Sequence, residues 1–453
     1  MRNLHYEKFA DGTVKCIEDE IPFEVPEGWE WSRLKHICTM AAGKAKPTND
    51  IKPEPFDGCY PCFGGNGIRG YVDEYNQDGT YSIVGRQGAL CGNINIASGK
   101  FYATEHAVVT TLFSGIDFIW SNHTLEALEL NKYATGAAQP GLSVANVLNA
   151  LVPVPPTCEQ KRIGRIVSSA IELTEGVALE KQELQSIIIQ AKARILDLAI
   201  RGKLVPQSPD DEPASVLLDR IRAEKEELIK QGKIKRDKRE SVIFRGEDNS
   251  YYEKVRNKFI CIDDDLPFDI PDGWAWCELQ DCCCKEIKRG RSPKYADTGT
   301  VRSFAQKCNQ KSGGINISLA QWIDDSSIGR YDEDEYMLDG DIVINSTGTG
   351  TLGRVGIYYD SDNRERTPIV PDSHVTVVRT SRLFNSSYIF LCLKAMQSRL
   401  EELGEGSTNQ KELKPLTIQQ QRIPVPPLVE QQAIVKRVCA FFEELDYVEA
   451  NLC

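Results

Sequence analysis

The segment IPFEVPEGWEW at 21–31 returns as LPFDIPDGWAW at 266–276, and VPVPPTCEQ at 152–160 returns as IPVPPLVEQ at 423–431. The match reaches upstream, where Tyr6-Glu7-Lys8 and Cys16-Ile17 answer Tyr252-Glu253-Lys254 and Cys261-Ile262. No other feature restricts the fold as strongly, because a unit written twice folds twice. The stretch between the paired ends is longer in the second copy and differs in sequence. Like ends around unlike middles predict one scaffold presenting two different surfaces. Each copy opens on a Pro-rich segment with two tryptophans (Trp29 and Trp31, Trp274 and Trp276). It continues through Gly-, Asn- and Thr-rich strand-like runs and closes on Pro-x-Pro-Pro before a helix. The tryptophans read as core anchors rather than base-stacking platforms.

The helix after copy one carries a heptad. Ile163, Ala170, Val177, Leu184, Ala191 and Leu198 hold one position, and Ile166, Leu173 and Ile187 a companion one, interrupted at Glu180 and Arg194. So narrow a stripe predicts a coiled-coil seam rather than a helix lying on a globular core. The seam restarts after copy two at Ile434, Phe441 and Val448, with Val438, Leu445 and Leu452 beside them. In an antiparallel pair the second helix covers about half of the first. Ile434 is then expected near Leu198, leaving Ile163, Ile166, Ala170 and Leu173 without a partner in the chain. Between helix and copy two, Asp211 or Glu212 before Pro213 signals a helix start and Gly232 a stop. The basic run from Lys233 to Arg239 reads as solvated linker. The expected fold is α+β with a pseudo-twofold internal repeat. Two α/β domains (1–155 and 259–427) are joined by a spacer helix at 156–204 and a charged helical linker at 205–258, and a shorter spacer helix occupies 428–453.

Composition narrows the class. With 41% hydrophobic and 26% charged residues over 453 positions, the chain reads as globular and multidomain. It has no apolar run of bilayer length, and MRNLHYEKFADGT lacks a signal-peptide core, so a cytoplasmic location is expected. Among 15 cysteines, Cys59-Tyr-Pro-Cys62 and Cys282-Cys283-Cys284 each lack the second pair a zinc site wants, so no metal site is expected. The net charge of −12 argues against a whole-surface nucleic-acid binder but leaves room for a local patch. Lys285, Lys288, Arg289, Arg291, Lys294, Arg302 and Lys307 form such a patch, with only Glu286 and Asp297 among them.

A G-x-G-x-x-G at Gly348, Gly350 and Gly353 follows a strand-like Asp341–Asn345. A phosphate-binding loop needs a helix next. Here Arg354-Val-Gly-Ile-Tyr-Tyr359 is strand-like, which makes the segment a glycine-rich hairpin tip. Catalytic signatures are missing too. There is no Asn-Pro-Pro-Tyr methyltransferase loop, and Glu286-Ile-Lys288 and Glu412-Leu-Lys414 are half of a nuclease signature without its aspartate.

The repeated PFEVPEGWEW/PFDIPDGWAW, the VPVPPTCEQKRI/IPVPPLVEQQAI pair, and Arg194-Ile-Leu-Asp-Leu-Ala-Ile-Arg-Gly-Lys-Leu-Val-Pro-Gln207 resemble the specificity subunit of type I restriction-modification systems over nearly the whole chain. The resemblance implies two target-recognition domains, each reading one half of a split sequence in double-stranded DNA, held apart by long helices packed as an antiparallel coiled coil. It implies no catalysis and no cofactor on this chain. S-adenosylmethionine, ATP and magnesium would belong to the modification (methyltransferase) and restriction (endonuclease) subunits it positions. Helix contacts with these subunits, or self-association, would use Ile163, Ile166, Ala170, Leu173, Val177, Leu184, Ile434, Phe441 and Val448.

The residues themselves agree with a DNA reader. YSIVGRQGALCGNINIA at 81–97 matches the hairpin at 339–360: strand, glycine-rich polar tip, strand. Glycines let backbone approach a duplex, and Arg, Gln, Asn and Thr read base edges. Arg86 and Gln87, and Ser346, Thr347, Thr349 and Arg354, are the first candidates; an ordinary hairpin turn is the alternative for each. Asn66, Gly67 and Arg69 form a second tip, and Lys44 and Lys46 are expected on phosphates. Lys288, Arg289, Arg291 and Lys294 are the phosphate contacts of copy two. His106 and His374 stand at matching places before a strand, and Gln139 and Asn409-Gln410 lie in matching loops near the end of each domain. The competing class is a coiled-coil protein-interaction scaffold without specific DNA binding.

Overall fold

A computed structural model describes residues 4–88, 90–135, 141–232, 234, 236, 241–256, 258–348, 350–406 and 411–452. The chain divides into two compact units, 1–180 and 181–453. In the first, β1 (Tyr6–Lys8) and β2 (Val14–Cys16) form a hairpin ahead of β3 (Glu30–Arg33). Six strands follow: β4 (Cys38–Ala42), β5 (Tyr60–Gly64), β6 (Gly67–Val72), β7 (Gln77–Gly85), β8 (Ile94–Ala103) and β9 (Ala107–Leu112). They make one sheet in the order β4-β9-β7-β8-β5-β6. Helix α1 (Phe118–Ala127), the short β10 (Ala134–Thr135) and β11 (Gly141–Leu142), and α2 (Val144–Leu148) lead to β12 (Leu151–Val154). β12 pairs with β3, so Trp31 faces Pro153 and Glu30 faces Val154. The text that recurs at the two ends of the copy is therefore one two-stranded ladder, and the unlike middle is the sheet it carries.

Helix α3 (Thr157–Ile200) runs from the first unit into the second. There, α4 (Ala214–Lys230) and a three-stranded sheet of β13 (Ser241–Arg245), β14 (Tyr251–Val255) and β15 (Lys258–Cys261) precede β16 (Ala275–Glu278). The middle comprises β17 (Lys288–Arg289), β18 (Arg302–Phe304), β19 (Gln321–Trp322), β20 (Ile342–Asn345), β21 (Val355–Ile357), β22 (Ile369–Pro371) and β23 (Val375–Val378). These build two sheets, ordered β17-β23-β20-β21 and β19-β18-β22. β20 is buried along its whole length, which is why Ile342-Val-Ile-Asn345 shows no polar alternation. After α5 (Ser386–Ala395), α6 (Gln397–Glu402) and α7 (Pro415–Gln419), β24 (Arg422–Val425) closes on β16 with Trp276 facing Pro424, as Trp31 faces Pro153. The last helix is α8 (Leu428–Ala450).

Three expectations change, the third at Ile163 below. Residues 205–258 are not a linker: Ala214, Leu217, Leu218 and Ile221 of α4 are buried in the second unit's main core, and Ile243 of β13 packs with Trp276. Asp219, Arg220 and Glu227 lie exposed off that stripe, while Glu224 accepts from Ser381 and Lys225 donates to the Gln280 carbonyl of the same unit. The seam of α3 is also offset. Ile188 is 2% exposed whereas its neighbour Ile187 is 58% exposed, and Leu196, Ala199 and Ile200 join Ile434 and Val438 in the core. Three consecutive isoleucines at 187–189 satisfy either phase in the sequence.

Helix α8 runs antiparallel to the end of α3. Gln207, just past α3, bonds Glu430 at 3.2 Å, while Lys192 pairs with Asp446 and Glu449 at 2.5 and 3.0 Å. Phe441 is half-buried and Val448 exposed. α3 ends in a glycine turn: Lys203 N–H donates to Leu198 O at 2.9 Å, and Gly202 has φ +65°. A Cβ at Gly202 would stand 2.4 Å from the Pro271 ring, so glycine is needed there twice over. Every residue from 169 to 180 is exposed, including Leu173 at 71% and Val177 at 58%. Ile166 and Ala170 are exposed as expected, but Ile163 is not unpartnered: it packs on the first unit's core beside Trp120 and Val152.

Candidate nucleic-acid interface

In the first unit the turn between β7 and β8 is closed by Gly85 N–H to Asn93 O (2.9 Å) and Gly92 N–H to Gly85 O (2.8 Å). In the second, the turn after β20 is closed by Asn345 N–H to Arg354 O (3.0 Å) and Gly353 N–H to Asn345 O (2.8 Å). The residue after each strand then reaches two further loops. Arg86 donates its backbone N–H to His106 O and accepts from Leu142 N–H; Ser346 does the same with His374 O and Leu413 N–H, all at 2.8–2.9 Å. Gln87 bridges to Gly141 as Thr347 bridges to Glu412. Both units thus gather the same three loops at one place, with different side chains on them.

The second tip of the first unit joins this cluster. Asn93 donates through Nδ2 to Asn66 Oδ1 at 3.1 Å, and a Cβ at Gly85 would meet Gly65 O at 2.1 Å, so only glycine permits that approach. Gly67 turns at φ +87°. Arg86, Gln87, Asn66, Arg69 and Lys44 are exposed. Arg69 donates to Thr48 Oγ1 at 2.7 Å. Lys46 is drawn inward instead: its side chain is 12% exposed, and its bond to Glu74 (2.8 Å) raises its pKa. His106 lies 3.3 Å from Glu105, with Nδ1 buried and unpartnered among the described residues.

In the second unit several candidates serve the fold. Ser346 is fully buried, with its hydroxyl 2.5 Å from Thr376 Oγ1, and so presents nothing to a base edge. Arg354 holds its own loop together by donating to Asn309 O (2.8 Å) and Gly350 O (3.1 Å). Thr347 Oγ1 lies 2.8 Å from His374 Nδ1, which puts these two side chains together on the cluster. Thr349, Gln139, Asn409 and Gln410 fall outside the described residues.

The basic patch is folded against acids from distant positions. Lys288 and Arg291 reach Glu335 at 3.3 and 2.8 Å, Arg289 pairs with Glu412, and Lys294 lies 2.6 Å from Asp324. Burial pushes Glu335 up, but the Asp332 N–H and the Arg291 and Lys288 cations outweigh it and hold the carboxyl low. Asp324, bonded first by Lys294 and then by Ser326, is held at about 2. The patch therefore carries a weaker field than its cation count promises.

Three side chains escaped the sequence reading. Asn95, at the start of β8, has Nδ2 buried without a partner among the described residues, beside Gly67. Gln306 donates to the Thr347 carbonyl at 2.6 Å, and Asn309 to the Arg354 carbonyl at 3.0 Å. Asn95 was within reach, two residues from Asn93 in GNINIA; Gln306 and Asn309 lie outside any motif. Among the described residues no three His, Cys, Asp or Glu side chains converge to hold a metal ion.

The family described as the type I restriction modification DNA specificity domain matches this chain twice, at 26–187 and 271–451. The EcoprrI specificity subunit of Escherichia coli is 39% identical over 201 residues, covering 44% of this chain and 48% of that protein. The match thus spans about half of that relative's length. The EcoEI specificity subunit, also from Escherichia coli, is 25% identical over 97% of this chain and 82% of its own. A chain from a structure on complex assembly and conformational transition of the type I R-M system covers 95% of this one and 96% of its own, with a TM-score of 0.55 at 16% identity. The HsdS subunit of Thermoanaerobacter tengcongensis, also 16% identical, covers 96% of this chain and 93% of its own with a TM-score of 0.50. At such identity these two speak for the two-domain α+β fold alone. Matched over both copies, the chain belongs to the type I restriction modification DNA specificity family.

Proposed function

We propose that this chain is the DNA-reading subunit of a type I restriction-modification complex, each unit reading one half of a bipartite target. One observation carries the reading: the same three-loop cluster is built twice, from unlike side chains. A scaffold for one protein partner has no need of two differently decorated copies, whereas a split DNA sequence does. Arg86, Gln87, Asn66, Asn95 and His106 are the base-reading side chains of the first unit, and Thr347 and His374 those of the second. Lys44, Lys288, Arg289, Arg291 and Lys294 take phosphates. The units form a pseudo-twofold repeat whose spacer helices pack as an antiparallel coiled coil. The chain itself is non-catalytic, and S-adenosylmethionine, ATP and magnesium act on the modification and restriction subunits. Ile166, Ala170, Leu173 and Val177 form the exposed helix stripe for a modification subunit. Among the described residues no helix is long and apolar enough to cross a membrane.

Exchange of residues 32–150 for the matching part of a relative tests the reading. One half of the recognised sequence should change and the other should stay. Simultaneous change of both halves refutes it. Binding to duplex that is independent of salt favours the protein scaffold instead.

A further inference from the structure

Each spacer helix is fastened to its unit by the same five groups. In the first unit Trp29 Nε1 donates to Glu159 at 3.1 Å, and Gln160 takes the backbone N–H of Asp117 at 2.8 Å while donating to Pro155 O at 2.9 Å. In the second, Trp274 Nε1 donates to Glu430 at 2.9 Å, and Gln431 takes the backbone N–H of Asn385 at 3.1 Å while donating to Pro426 O at 3.0 Å. Asp117 and Asn385 are the N-caps of α1 and α5, so each glutamine ties the first turn of a spacer helix to the start of a domain helix. Gln160 and Gln431 are 2% and 0% exposed. Glu430 also accepts from Gln207, which brings the end of α3 to the same carboxylate.

Apolar contacts alone would let a helix root slide; directional bonds between buried groups fix its angle. That angle has leverage. The 44 residues of α3 measure about 66 Å at 1.5 Å per residue. A tilt of about 5° at the root displaces the far end by roughly 6 Å, more than one base-pair step of about 3.4 Å.

We infer that the joints Trp29–Glu159–Gln160 and Trp274–Glu430–Gln431 are positioning elements that select the spacing between the two DNA half-sites. The inference rests on the function proposed above. These residues touch neither bases nor phosphates; they act through the helix they orient.

The test takes the full chain and a pool of random-sequence duplexes, from which wild type selects a split motif with one preferred spacer. Affinities are then compared for that spacer, for spacers one base pair shorter and longer, and for duplexes holding one half-site. Gln160→Leu and Trp29→Phe, which removes the indole N–H together with the five-membered ring, should keep single-half-site affinity within twofold. Their preference for the correct spacer should fall at least fivefold, while Glu159→Gln, which still accepts from Trp29, behaves as wild type. If Gln160→Leu does not fold, Trp29→Phe decides. Variants that keep the wild-type spacer profile overturn the joint alone. A wild-type chain that selects no split motif overturns the proposed function, and the joint with it.

Discussion

Replacing Arg379 by methionine should destabilise the second unit more than any surface substitution. The Arg379 guanidinium donates to both carboxylate oxygens of Asp341, at 2.8 and 2.6 Å, and to the carbonyls of Asp334 and Tyr336 at 2.9 and 2.6 Å. Asp341 is 1% exposed and immediately precedes β20, the strand that delivers the glycine tip. Methionine fills comparable volume but leaves a buried carboxylate facing no cation and strands two carbonyls. Breaking a buried pair from one side costs about 3–5 kcal/mol. Exchanging both partners, Arg379→Met with Asp341→Asn, removes the unpaired charge and should recover at least half of that. A chain of two compact units falls outside two-state melting, so global melting is a blunt readout; hydrogen exchange of the amides at 342–345 reports the local free energy. A loss below about 1 kcal/mol in the single variant, or a double variant less stable than the single, refutes the reasoning.

Three further outcomes follow from named contacts. Leu173→Ser combined with Val177→Ser should leave the melting of the isolated chain unchanged, since both side chains are exposed, yet weaken association with modification subunits by about 1–2 kcal/mol per residue in titration calorimetry. Arg86→Ala should relax discrimination at one base pair by about 1–3 kcal/mol, whereas Lys44→Ala should weaken all duplexes alike and lower the salt slope by about one; the same profile from both across a duplex panel contradicts these roles. Burial raises the Glu430 carboxyl above its ordinary value, against the bonds from Gln207 and Trp274 that lower it. A folded pKa above the unfolded one means tighter proton binding when folded, so stability declines as pH rises from the unfolded pKa through the folded one. Glu430→Gln should lack that decline, and melting temperatures at pH 4.5 and pH 7.5 that fall equally in both proteins would contradict the sign.

Sequence reading went furthest where a feature is linear. The two copies, their paired ends, the glycine tips at 85–93 and 345–354 and the matching of His106 with His374 all rest on order along the chain, and the hydrogen bonds of both clusters agree with them. The order in which like segments recur is a property of one dimension, and it survives folding unchanged.

What faces what was decided by the tertiary structure. The basic patch at 285–307 contains two acids in sequence, yet Asp324, Asp334, Glu335 and Glu412 come to it because β17 adjoins β23 and distant loops close over that edge. Ser346 sits in a tip that looks ready to read a base, but the hydroxyl turns inward to Thr376 across the β20–β23 pair. Which isoleucine of 187–189 becomes the buried one is settled only in the folded chain, and three equivalent side chains carry no mark of it. Charge cancellation, burial and helix phase are sums over neighbours in space, and those neighbours exist only once the sheets and helices have packed.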